Sequence, residues 1–122
     1  MAAALPFVDR GPIQRSMTIM PDRGGWWPDY PRFLEEVRAH TRRGQSIALL
    51  VPTMQWQRGY FYAYYRASYF LAGREVLPLV LENDRPVPEN LHRAQYLAIW
   101  SRPAPAGARV VFAEYGGTLV RR

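Results

Sequence analysis

Ile47-Ala48-Leu49-Leu50-Val51, closed by Pro52, is the stretch on which the fold turns. Five consecutive apolar residues fit a strand covered on both faces, as in the middle of a parallel sheet. Downstream, a segment from Gln57 or Gly59 to Leu71 reads as a helix stopped by Gly73. Val76 to Leu81 is a second apolar run. Strand, helix and strand within roughly 35 residues is the layout of a right-handed βαβ crossover. Pro78 has no N–H to give to a ladder, so the second strand is expected at an edge or broken.

Upstream, Tyr30 to Arg43 reads as a helix. Tyr30, Phe33, Leu34 and Val37 fall at i, i+3, i+4 and i+7, which is one apolar face. Asp29 is placed to cap it, Pro31 is tolerated in its first turn, and Gly44 supplies a stop. On the other side, Pro88 to Ala94 is a short helix and Tyr96 to Trp100 a third strand. Residues 102–108 hold Pro103, Pro105 and Gly107 and read as a loop. Arg109 to Tyr115 and Thr118 to Arg121 flank Gly116-Gly117, a hairpin signal because primed turns need positive φ. The expected fold is therefore α/β: a Rossmann-like, mostly parallel sheet with flanking helices and a C-terminal antiparallel hairpin. Residues 29–122 are expected to form a single α/β domain. Residues 1–28, broken up by Pro and Gly, are expected to form an irregular N-terminal arm or linker, with Trp26 and Trp27 pinning it to the body and Met17 to Met20 as a short edge strand.

The chain has 122 residues, 48% hydrophobic and 21% charged, an ordinary balance for one globular domain. It has no cysteine, which excludes disulfides, thiolate chemistry and Cys-based metal sites. All 16 basic residues are Arg. Arginine suits bidentate phosphate or carboxylate recognition, but a GC-rich codon bias gives the same composition. The net charge of +6 is spread evenly along the chain, so no segment is a basic arm. No run is long and apolar enough to span a bilayer.

The densest feature is Gly59-Tyr60-Phe61-Tyr62-Ala63-Tyr64-Tyr65-Arg66-Ala67-Ser68-Tyr69-Phe70. On a helix its aromatics surround the axis, whereas a helix on a sheet buries one stripe. Core packing with hydroxyls reaching water is one reading. The other is an interaction surface at Tyr62, Arg66 and Tyr69, for self-association, a ligand wall or a membrane interface. Arg58, Arg66 and Arg74 make no stripe, and no nucleic-acid-binding motif accompanies them, so nucleic acid is a minor alternative.

A dinucleotide site would need a glycine turn after the first strand, yet Val51-Pro52-Thr53-Met54-Gln55-Trp56 has none. A small-ligand site at the strand ends would use Thr53, Gln55, Trp56, Glu82, Asn83 and Asp84, since open α/β sheets bind ligands at that edge. His40 and His92 are isolated, the serines lie in no nucleophile elbow, and the neighbours Glu35 and Glu36 point apart on a helix. No catalytic residue, metal or cofactor is assigned.

The strand Ile47 to Val51, the segment Tyr64-Tyr65-Arg66-Ala67-Ser68-Tyr69-Phe70-Leu71, the strand Tyr96 to Trp100 and Gly116-Gly117-Thr118-Leu119 together resemble the soluble tail of bacterial membrane glycosyltransferases of the mannosyltransferase-like superfamily. The resemblance covers about two thirds of the chain. It implies an accessory domain on the extracytoplasmic face, beside a parent membrane domain, with no catalytic acid carried over. Without it, the expected location is the cytoplasm. The function expected is a non-catalytic accessory or interaction domain.

Overall fold

The structure, a computed structural model, describes residues 28–122. The expected arm, with Trp26, Trp27 and the Met17 to Met20 strand, lies outside them apart from Pro28. The chain divides at Pro31 into two units, and Arg32–Arg122 forms one compact unit. The described elements are helices α1 (Tyr30–Ala39), α2 (Tyr60–Phe70) and α3 (Pro88–Arg93), and strands β1 (Ser46–Leu50), β2 (Glu75–Pro78), β3 (Tyr96–Trp100), β4 (Arg109–Glu114) and β5 (Gly117–Arg121). Single 3-10 turns follow β1 at Trp56–Arg58 and β2 at Glu82–Asp84.

The five strands form one mixed sheet in the order β2-β1-β3-β5-β4. β2, β1 and β3 run parallel, joined by crossovers through α2 and α3. This is the βαβ unit that the apolar runs imply, and Pro78 does sit on an edge strand. The expectation of a mostly parallel sheet is corrected. The two antiparallel ladders, β3–β5 and β5–β4, have five register pairs each, against four in each parallel ladder. The physical reason is where the hairpin inserts. A two-residue turn joins only antiparallel strands, so β5 must oppose β4. β5 then lies between β4 and β3 and opposes both, which makes one hairpin the source of two antiparallel ladders.

The sheet is covered on both faces. On one, α1 lays Phe33 against Trp100 and Phe112, with ring centroids 5.5 and 5.8 Å apart. Gly117 has to be glycine, because a methyl there would collide with the Phe33 ring. On the other face Ala48, Leu77, Leu97, Ile99 and Val120 pack with Ala94, and Leu91 of α3 closes over them. All five residues of β3 are buried, as the central position requires.

The hairpin forms, one residue earlier than Gly116-Gly117 implies. Its turn is Tyr115-Gly116, with φ of 56° and 81°, while Gly117 already belongs to β5. Positive φ at both central residues is the type I′ signature. The register shifts between Val110 and Phe112, a bulge on the outer strand.

Helix α1 stops at Ala39, short of Arg43. Thr41 Oγ1 donates back to the Val37 carbonyl at 2.8 Å, competing with helix continuation. The last carbonyls also receive a residue distant in sequence. Arg74 donates to the carbonyls of Arg38 (3.1 Å) and Thr41 (2.8 Å) and to Thr41 Oγ1 (3.2 Å). A guanidinium at a helix C-terminus satisfies orphan carbonyls and opposes the dipole. Desolvation, then the like charges of Arg38 and Arg43, pull the Arg74 guanidinium below its ordinary value.

Candidate functional site

Helix α2 begins where the 3-10 turn ends. Gly59 joins them at φ 141°, where a side chain is disfavoured, and a Cβ there would stand 2.8 Å from Thr53 Cγ2. Tyr60, Ala63, Ala67 and Leu71 face the sheet and are buried. The two alanines, four apart, share this inner face and are small enough to let the backbone come close to the strands. The Tyr60 hydroxyl donates to the Leu49 carbonyl (2.6 Å) and accepts from the Leu79 amide (2.8 Å). It thus bridges β1 and the end of β2 just past the last register pair, Leu49 with Pro78. Burial pushes this phenol well above its ordinary value.

The opposite side of α2 carries rings into solvent. Phe61, Tyr65 and Tyr69 are 37%, 58% and 78% exposed. Residues four apart drift by about 40° on a helix, so the three form one stripe, spanning roughly 12 Å along the axis. The stripe is braced from below. Trp56, 8% exposed, packs within 6.1–6.4 Å of the rings of Tyr60, Phe61, Tyr64 and Tyr65. Phe61 and Tyr65 meet edge to face at 6.2 Å. Arg66 lies beside the stripe, its guanidinium 5.7 Å from the Tyr62 ring and 5.5 Å from the Phe70 ring. Its Nε is buried with no hydrogen-bond partner. The two rings supply the cation–π attraction that holds it there. No residue of α2 is acidic.

Of the expected surface, Tyr69 is the most exposed member, while Tyr62 and Arg66 are half-buried at its margin. Phe61 and Tyr65 are the additions. The signal for them was the small pair Ala63 and Ala67, which marks the sheet side and so fixes the outer side.

The strand-end residues fall into two neighbouring turns. The Asp84 carboxylate accepts from the Trp56 amide at 2.7 Å, which ties the two 3-10 turns together. Thr53 Oγ1 accepts from the Gln55 amide at 3.4 Å and its methyl packs on Gly59. Glu82 and Asn83 are exposed, and Asn83 and Asp84 have positive φ. These residues flank the ends of β1 and β2. The reversal of strand order, where open α/β sheets place their ligand crevice, falls instead between β1 and β3. There Arg102 donates to the Val51 carbonyl at 3.2 Å and bridges the two strand ends.

Among the described residues no three of His, Asp and Glu come together as a metal site. None of their helices is long and apolar enough to cross a membrane. No known protein family, curated protein or solved structure matches the chain.

Proposed function

We propose that this chain is a non-catalytic accessory or interaction domain, the extramembrane part of a membrane-associated protein, and that it pairs with a second copy of itself through the outer face of α2. The observation that carries this reading is the Phe61–Tyr65–Tyr69 stripe, braced by Trp56 and without a carboxylate on its helix. Aromatic rings are the side chains enriched at protein contacts, and a twofold contact sets a patch against itself. The polar groups nearby support the same reading, since Tyr60, Asp84 and Arg74 are spent on backbone partners.

Sedimentation velocity on the full chain tests it. A concentration-dependent dimer is expected, and Tyr65→Ser with Tyr69→Ser should leave a folded monomer. A wild type that stays monomeric at every concentration, or a double variant that still dimerises, would overturn the reading.

A further inference from the structure

The arginines that are evenly spread in sequence are not evenly spread in the fold. α1 precedes β1, and α2 and α3 run back against the parallel strands, so all three helices end at the amino edge of β1, β2 and β3. β5 also ends there and β4 starts there, since Arg121 pairs with both Tyr96 and Arg109. The end of α1 brings Arg38, Arg42 and Arg43 to this edge, and the turn before β2 brings Arg74. The end of α3 brings Arg93, and the hairpin brings Arg109, Arg121 and Arg122.

Two carboxylates lie at this edge: Glu75, which starts β2 and is paired with Arg93 at 3.0 Å, and Glu36, in the last turn of α1 and 3.9 Å from the His40 ring. Arg38, Arg42, Arg43, Arg109 and Arg122 are exposed, and among the described residues none has a carboxylate within 4.0 Å. At the opposite edge Arg32, Arg58, Arg85 and Arg102 stand with Glu82, Asp84, Glu89 and Glu114, so the two signs balance there. The sheet thus separates charge between its two edges.

We infer that the amino edge of the sheet is a docking surface for an anionic phospholipid membrane. This rests on the membrane association proposed above but uses a different surface from the α2 pairing, so vesicle binding and dimer formation can fail separately. Strand ends spaced about 4.8 Å apart make an edge of roughly 19 Å, and charges set along one such edge suit an extended anionic plane. Anionic headgroups attract clusters of about four to eight basic residues. Exposed Val110 and Val111, next to Arg109, add apolar side chains of the kind that enter the headgroup boundary. Nucleic acid fits less well. Every described helix presents its carbonyl end here, so the edge lacks the helix N-terminal amides that often position a phosphate backbone.

Co-sedimentation of the full chain with vesicles tests the inference. Binding is expected to vesicles of phosphatidylcholine with phosphatidylglycerol at low salt, to fall as salt rises, and to be weak with phosphatidylcholine alone. Arg42→Ser with Arg109→Ser should weaken it about 30-fold, roughly fivefold per residue. Arg58→Ser with Arg85→Ser removes the same charge from the opposite edge and should change it less than about threefold. No binding to the anionic vesicles, equal binding to neutral ones, or equal loss in both double variants would overturn the inference. So would a DNA or RNA duplex that binds more tightly than vesicles at equal phosphate and loses affinity with Arg42→Ser and Arg109→Ser.

Discussion

Tyr60 and Tyr69 sit on one helix and do opposite things. Tyr60 is buried, with its hydroxyl held between the backbones of two strands. Tyr69 is 78% exposed and touches Phe70 edge to face at 5.5 Å. The side chain is the same, and the side of the helix differs. The inner face is built from small residues and one spent phenol, which makes it a structural seam. The outer face keeps its rings and hydroxyls available, which makes it a surface. Composition counts both as aromatic content and cannot separate them.

Tyr60→Phe tests the inner face most severely. It leaves the Leu49 carbonyl and the Leu79 amide without their bridge, so a loss of about 2–4 kcal/mol is expected in denaturant unfolding. Ala67→Leu forces bulk into the same seam and should cost about 1–3 kcal/mol. The gap between wild type and Tyr60→Phe should also depend on pH. The folded phenol is raised above its ordinary value of 10.0, so its contribution is complete below pH 10. Above pH 10 the unfolded chain ionises first and the advantage shrinks, by about 1 kcal/mol near pH 11. Unfolding curves of both proteins from about pH 8 to about pH 11 would show the gap closing, and a constant gap would contradict the buried phenol. The mildest change belongs to the outer face. Tyr65→Ser and Tyr69→Ser should each change stability by no more than about 0.5 kcal/mol, while together removing the dimer.

Much of this fold was legible in the chain. Tyr96 to Trp100 is a strand end to end, because a continuous apolar run between breakers has few alternatives. Pro78 marked the edge strand through its missing donor. The hairpin itself was readable, but its insertion was not. Local turn chemistry says that β4 and β5 pair, and says nothing of which of them meets β3. The α1 end was misplaced because its cap, Arg74, comes from a distant turn that no local rule connects to it. The site followed the same pattern. Tyr69 was readable from helical spacing, but Phe61 and Tyr65 needed the sheet side of α2 to be known. The basic edge was invisible, because its arginines lie from residue 38 to residue 122 and meet only when the ends of helices and strands come together.

The bulge on β4 and the proline on β2 have a shared consequence. These are the two rims of the described sheet, and a rim with free backbone groups invites another chain to add itself as the next strand. At one rim Pro78 offers no N–H, and at the other the ladder is knocked out of step at Val110–Phe112. Both openings to endless strand-on-strand growth are spoiled. If copies of this chain pair as proposed for α2, the contact is helix to helix and stops at two, whereas growth along either rim would make a fibre, which does not stop.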